Sequence, residues 1–456
     1  MNSSSNKFHL FLTALIMSFA ACVSDPPPEK EVELPTSNKW VSPKGEPFKI
    51  DKNWWKAFGD EKLNKLITKA VNQNLDLQIA LERTRLAEKA LGEANLKQAP
   101  TINASFGKQI TKQDERPTQE KFTASASLSW EIDIWGKFRK MSSANLAEYK
   151  ASEADWRAAY LSIIKEITQT YISLRQYDEQ KTLLEESLNN SDKLVSIYEQ
   201  RFKNGVEDKS NLSLQKAESL RLKGEVVEVD RAREVLINQI SILLAEPADE
   251  LKIPAKQLRD CLEPIKFPKD INANLLERRP DIIAAELRVQ KDYFMSESTR
   301  AARMPSVTLG ISGDLASESI SLLTQGWSAA ILPKISFPAL DPQTKINVEK
   351  QDINLEITKK QYKDSVIKAI AEVETALINR QARLKRMKLE EARYKELKAA
   401  DVKSELSKKA GIISTLERIQ FQQQLISSRQ QILNFYSQEL QDTVSIFTAL
   451  GGGWEY

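Results

Sequence analysis

Residues 122–134 read FTASASLSWEIDI. Phe122, Ala124, Ala126, Leu128, Trp130, Ile132 and Ile134 alternate with Thr123, Ser125, Ser127, Ser129, Glu131 and Asp133. Period two over thirteen residues marks a strand with one apolar and one polar face. At ~3.3 Å per residue it would run about 43 Å, ample for a tilted membrane crossing that needs only ~9–11 residues. Alternation alone fits a half-buried soluble sheet equally well, so the surroundings must decide. Immediately downstream, Lys137 to Asn204 are 68 residues without a glycine or proline. Wholly helical, such a run extends roughly 100 Å, more than a compact globular domain accommodates.

The same plan occurs again. Gln343 to Ala410 is a second 68-residue run free of Gly and Pro. Each run ends at a glycine, Gly205 or Gly411, and a further helical stretch follows. Pro100 precedes Gly205 by 105 residues, and Pro305 precedes Gly411 by 106. Between proline and long helix lie strand-like segments: Ile102, Ala104 and Phe106, with Lys108 breaking the pattern before Ile110, then residues 122–134. In the second half Val307, Leu309, Ile311 and Leu315 alternate with Thr308, Ser312 and Asp314. Trp327, Ala329 and Ile331 open a fourth strand that continues past Pro333 through Ile335 and Phe337. Polar loops at 112–121 and 316–326 join the pairs. The chain reads as helix, two strands, very long helix, turn and helix, performed twice, over residues 51–265 and 266–456.

Counting then restricts the assembly. Four strands cannot close a membrane barrel, and open edges cannot face lipid with their backbone groups unpaired. If the strands cross a membrane, several chains must pool them, and three chains give twelve. The long helices carry a narrow seam, Trp156, Tyr160, Ile163, Ile167, Tyr171, Leu174 and Tyr177, of the coiled-coil kind. Gly205 and Gly411 fall where two antiparallel helices turn over, because glycine tolerates the left-handed conformation at a helix end.

Residues 1–21 run from Lys7 through an apolar stretch, Phe8 to Ala21, too short to span a bilayer, and end in small residues as a cleaved export signal does. Phe19-Ala20-Ala21-Cys22 resembles a bacterial lipobox, with Phe19 in place of the usual aliphatic residue. Cys22 is then the acylated first residue. Several acyl chains anchor stably, at ~0.8 kcal/mol per buried CH₂. The alternative is an ordinary secretory signal with an incidental cysteine. Residues 22–50 form the tether, with Pro26-Pro27-Pro28 stiffening it. Val23 after the cysteine implies the outer membrane under the bacterial sorting convention. With Cys22 acylated, Cys261 has no partner and no disulfide is needed.

Composition excludes much chemistry. Of 456 residues 28% are charged, only 14 are Gly and 7% are aromatic, a profile of long polar-faced helices. The net charge is +3 with the signs interspersed, which argues against a nucleic-acid partner. His9 is the one histidine and leaves with the signal, so no histidine-dependent triad or His-based zinc site is available. There is no Walker A loop and no Rossmann glycine set, and Gly451-Gly452-Gly453 has no phosphate-binding Lys or Ser/Thr after it. No catalytic residue, metal or cofactor is expected.

Further strings carry a family resemblance from Trp54 to Trp454. They are Trp54-Trp55 with Phe58, Asp60, Leu63 and Leu66; Asn74-Leu75-Asp76; Ser129-Trp130-Glu131-Ile132-Asp133-Ile134-Trp135-Gly136-Lys137; Asn274-Leu275-Leu276-Glu277-Arg278-Arg279-Pro280-Asp281-Ile282; Ala301-Ala302-Arg303-Met304-Pro305-Ser306-Val307; and Ala449-Leu450-Gly451-Gly452-Gly453-Trp454. The chain resembles the TolC-like outer-membrane factors, in their NodT-type efflux lipoprotein branch. That resemblance implies an α+β membrane protein: a homotrimer whose twelve-stranded outer-membrane β-barrel continues into a long periplasmic α-helical barrel. It further implies passive conduction of small molecules from a periplasmic adaptor and an inner-membrane pump to the exterior. The hairpin tips, Gly205, Val206, Gly411 and Ile412, would meet the adaptor. Aligned on Gly411, Leu416, Glu417 and Gln420 would form the periplasmic aperture. Gln420 departs from the Asp of many members and lowers the charge of the ring. Aligned on Gly205, Asn211 stands where a carboxylate often ties the tips. Asp341-Pro342 replaces the family's glycines and makes a helix start, an N-cap followed by proline.

A threefold axis would bring three Glu417 carboxylates together, raising their pKa by mutual repulsion and favouring cations. The bland reading makes Glu417 a solvated carboxylate paired with Arg418 or Lys409. Arg278-Arg279-Pro280-Asp281 reads as a helix start with an acid near the positive helix end. Two other functions fit parts of the chain: a duct for secreted proteins, and a structural coiled-coil envelope lipoprotein. The latter leaves the four alternating strands unexplained.

Overall fold

The structure, a computed structural model, describes residues 51–112, 114, 117–265, 278–337 and 341–452. The expected leader (1–21), Cys22 and the tether (22–50) lie outside the described residues, as do Asn274 to Glu277 and Trp454. After a 3₁₀ turn at Trp54–Phe58 come α1 (Glu61–Gln73), α2 (Leu75–Leu96), β1 (Thr101–Thr111), β2 (Gln119–Ile132), α3 (Lys137–Lys203) and α4 (Lys209–Leu243). The second half supplies α5 (Pro280–Ala301), β3 (Ser306–Ser317), β4 (Trp327–Ser336), α6 (Pro342–Lys409) and α7 (Thr415–Ala449). α3 has 67 residues and α6 has 68, while α4 and α7 have 35 each. The described residues form two compact units: Leu91–Ala147 with Arg288–Lys363, and the remainder.

The first unit holds one four-stranded sheet in the order β1-β2-β3-β4, antiparallel throughout. Its register aligns like with like. Ile102, Leu128, Ile311 and Ile331 make one cross-strand row, and Phe106, Ala124, Leu315 and Trp327 another. The opposite face carries rows such as Ser105, Ser125, Asp314 and Ser328. Because side chains alternate faces along a strand, period two in four sequences becomes one apolar and one polar surface. Ile102, Phe106, Ile311, Trp327 and Ile331 are all exposed. Among the described residues β1 and β4 are open edges, and Pro333 is tolerated because β4 is one of them.

Three boundaries differ from expectation. Lys108 does not interrupt β1; it pairs with Glu120 on β2 at 2.9 Å and lies over the Phe122 ring. β2 ends at Ile132, so Ile134 falls beyond the strand. The second loop contains a 3₁₀ turn, Ile320–Gln325. Beneath the sheet Trp130 donates to the Gln98 carbonyl (2.9 Å) and Trp135 to that of Pro305 (2.7 Å), tying strand ends to helix ends. Asp341 caps α6, accepting from the Gln343 and Thr344 amides at 3.0 and 3.3 Å.

In the second unit the core gathers Trp54, Phe58, Leu63, Ile67, Ile164 and Phe447, with Trp54 stacked on Phe447 at 4.8 Å. Of the expected seam, Ile163, Ile167, Tyr171 and Leu174 are buried, whereas Trp156, Tyr160 and Tyr177 are half-buried. Cys261 is a free, buried thiol.

Four helices here lie side by side. α4 meets α3 through Lys181–Asp230 (2.7 Å) and Gln215–Ser191 (3.2 Å). α3 meets α7 through the ion pair Arg429–Glu186 (2.6 Å) and uncharged rungs: Gln169–Ser445 and Gln441–Ser173 at 3.2 Å, Gln176–Asn434 at 2.9 Å and Ser187–Gln423 at 2.8 Å. α7 meets α6 through Arg383–Asp442 (2.5 Å) and Ser428–Glu390 (2.7 Å). The order is α4-α3-α7-α6.

Candidate functional site: the helical hairpin tips

Both long helices end in the same way. The Gly205 amide donates to the Phe202 carbonyl and the Val206 amide to that of Arg201, each at 3.0 Å. At the second tip Gly411 donates to Lys408 (3.0 Å) and Ile412 to Ser407 (2.9 Å). This pair of bonds, from the first and second residues past the cap, is the Schellman ending. It requires a left-handed residue, and Gly205 and Gly411 have φ of 72° and 73°. A Cβ would meet nothing within 4 Å at either position, so backbone conformation, not space, calls for glycine. Val206 and Ile412, directly beyond, are exposed.

The return helices are capped by different residues. Asp208 accepts from the Ser210 amide (2.6 Å), which holds its carboxyl below the usual range. Ser414 and Glu417 form a reciprocal capping box. The Glu417 amide donates to Ser414 Oγ (3.2 Å), while the Glu417 carboxylate accepts from the Ser414 amide (2.7 Å) and hydroxyl (2.9 Å). These bonds, the amide one foremost, hold the Glu417 carboxyl below its ordinary value within one chain. The expected partners are engaged elsewhere: Arg418 and Lys409 both pair with Glu405, at 2.7 and 3.4 Å. Arg418 first, then Lys409, lowers the Glu405 pKa. Pairing of Glu417 with Arg418 or Lys409 is therefore corrected. Ser414-Thr415-Leu416-Glu417, a Ser-x-x-Glu at the start of a helix, is the sequence signal for this capping box.

The structure brings Leu416, Glu417 and Gln420 onto the first turns of α7, with Leu416 half-buried and the other two exposed. Asn211 stays within its own tip: its Nδ2 donates to Glu207 Oε1 (2.8 Å), and Glu207 also pairs with Arg201 (3.2 Å). Arg279 does more than precede a helix. It is buried, donates to both Asp281 oxygens (3.0 and 2.7 Å), to Glu372 (2.8 Å) and to the Ala449 carbonyl (3.0 Å).

A second buried network fastens residues 251–262 to the helices. Asp178 accepts from Arg175 (2.8 Å), Arg233 (2.7 Å) and the Lys256 amide (3.2 Å). Arg175 also reaches the Pro254 carbonyl (2.7 Å), and Glu179 accepts from the Leu258 amide (3.1 Å). Tyr436 donates to the Leu262 carbonyl (2.6 Å), and burial pushes its pKa up to about 12.

The first unit presents a four-stranded sheet with an exposed apolar face, and the chain's helices of 67 and 68 residues end in capped hairpin tips. The sequence profile of the outer membrane efflux protein family matches residues 66–245 and 273–452, and the chain belongs to that family. It is 26% identical over 472 residues to the probable outer membrane lipoprotein SilC of Salmonella typhimurium, covering 98% of this chain and 99% of SilC. It is 26% identical over 469 residues to the pyoverdine export outer membrane protein OpmQ of Pseudomonas putida, covering 98% of each. Among solved structures, the open state of the Neisseria gonorrhoeae MtrE outer membrane channel superposes with a TM-score of 0.82 at 22% identity, covering 94% of this chain and 98% of that one. The protein is an outer-membrane efflux channel.

Proposed function

We propose that three copies assemble into a passive duct, with a twelve-stranded barrel in the outer membrane and a helical tube in the periplasm. The observation that carries this reading is the sheet: its apolar rows are exposed, and β1 and β4 are open edges. Lipid accepts apolar side chains but no unpaired edge, so copies must supply the missing partners. Within each chain, residues 51–265 and 266–456 are two repeats of one plan. The twin profile matches and the equal lengths of α4 and α7 support that division.

The tips, Gly205 with Val206 and Gly411 with Ile412, are the contact for a periplasmic adaptor, which links the duct to an inner-membrane pump. Leu416, Glu417 and Gln420 line the aperture, and Asn211 shapes the first tip through Glu207 instead of bridging to another. Cys22 carries the lipid, a reading supported by the lipoprotein relative. Palmitate labelling that persists on Cys22→Ser would refute it. Small molecules are favoured over secreted proteins as cargo by the relative named for pyoverdine export. The protein has no catalytic task. A cleft of about 710 Å³ in the helical unit has charged walls, but its Arg279, Asp281 and Glu372 are bound to one another.

Single-particle electron microscopy of the detergent-purified protein tests the assembly. A threefold hollow cylinder with a detergent belt at one end is expected. A solid rod without a belt would establish a coiled-coil spacer, and a compact globule would remove the duct altogether.

A further inference from the structure

The polar face of the sheet is almost free of charge. Its four central rows run from Thr101–Ser129–Gly310–Leu332 to Gly107–Thr123–Ala316 and hold one ionisable side chain, Asp314. That carboxylate shares its row with Ser105, Ser125 and Ser328. Two of these hydroxyls are bonded to each other, Ser105 to Ser125 at 2.7 Å. Asp314 is exposed, and its carboxylate has no hydrogen bond or ion pair among the described residues.

The rows at either end are different. Glu131 and Lys334 lie in one row, joined through Thr308, and Glu131 also pairs with Lys137. At the other end Lys121 and Glu318 each stand one residue beyond the Phe122–Ser317 pair. Both ends mix the two signs, so their fields largely cancel at a distance. The row of Asp314 carries negative charge alone. It lies four residues along β2 from Lys121 and six from Glu131, or ~13 and ~20 Å at ~3.3 Å per residue. Both separations exceed the Debye length, ~8 Å at 0.15 M salt, so neither end neutralises it.

We infer that Asp314 is a charge-selecting residue of the duct, its three copies forming a negative belt inside the barrel that favours cations independently of Glu417. This rests on the assembly proposed above: with the apolar rows against lipid, the opposite face lines the bore. Twelve strands ~4.8 Å apart and tilted ~40° enclose a radius of about 12 Å at the backbone. Side chains narrow the open bore to about one Debye length. The field of the three carboxylates then spans the passage at physiological salt, and a negative belt enriches cations and repels anions.

Planar-bilayer recording of the full-length acylated channel under a KCl gradient provides the test. A Glu417→Ala background removes the carboxylate at the aperture, so the barrel is read by itself. In that background Asp314→Asn should lower the potassium-to-chloride permeability ratio at least twofold near ~0.1 M salt. The difference should vanish toward 1 M, where the Debye length falls to ~3 Å. A difference that ignores salt would mean altered shape and not lost charge, and would overturn the inference. Asp314→Cys, with Cys261→Ser in the same background, changes the charge on channels that have already folded and inserted. A cationic methanethiosulfonate should shift the reversal potential toward anion preference, and an anionic one should restore the value given by Asp314. Complete modification by mass with unchanged permeability would overturn the role of Asp314 while the barrel stands. A cysteine that neither water-soluble reagent reaches would overturn the barrel itself, because this face would not line a bore.

Discussion

Asp178 offers the sharpest test of how residues 251–262 are held. Its side chain is 1% exposed and accepts from two guanidinium groups and one amide. Asp178→Ala leaves Arg175, itself 2% exposed, and the less buried Arg233 without their counter-ion. Both keep backbone carbonyls, of Pro254 and Ile253, so neither loses every bond. Breaking a buried pair by removing one partner costs about 3–5 kcal/mol, since the uncompensated charge stays behind. The loss falls on the local opening of this segment, because Asp178 binds the Lys256 amide and Arg175 and Arg233 bind its carbonyls. At ~1.4 kcal/mol per decade, amide exchange across residues 251–262 should quicken by roughly two to three and a half decades. Hydrogen-exchange mass spectrometry on the purified channel reads this directly, with the β1–β4 peptides as internal reference. Asp178→Asn should recover part of the protection, because one carbonyl oxygen still accepts. Unchanged exchange in Asp178→Ala would refute the view that this carboxylate fastens the segment. Equal acceleration in the sheet would mean that the variant had unfolded globally.

Gly411→Ala forces alanine to φ near 73°, a strain of about 1–2 kcal/mol, and should speed exchange of the Ile412 amide about tenfold; no change would show that the tip turn is not locked. The capping box has a signed pH dependence. Because the Glu417 pKa is lowered on folding, its stabilisation is complete at neutral pH, declines below about 4.5 and is lost as pH falls through the depressed value. Protection at the start of α7 should follow that course in wild type and lie flat in Glu417→Gln, and a flat wild-type profile would count against the box. In planar bilayers Glu417→Ala should reduce the cation preference of the reconstituted pore, and unchanged permeability ratios would remove Glu417 from the constriction.

What the sequence made legible was whatever depends on local order. Period two gave all four strands because side chains alternate along a strand between an apolar and a polar face. The absence of Gly and Pro over 68 residues gave both long helices, and Gly205 and Gly411 gave their ends, because the left-handed turn admits few other residues. Pairings distant in the chain left no such trace. Arg175 and Asp178 look like an ordinary surface pair three residues apart on a helix, and only the fold delivers Arg233 and the Lys256 amide to the same carboxylate. Arg279 is likewise a helix-flanking cation until Glu372 and the Ala449 carbonyl arrive from elsewhere. Glu417 shows the converse. A threefold ring predicts a raised pKa, whereas the chain already commits that carboxylate to Ser414, which lowers it. The two effects oppose each other at one atom group, so repulsion within a ring must first compete with the cap. An aperture built on Glu417 would then be coupled to the start of α7: protonating the carboxylate would relieve the ring and weaken the cap together.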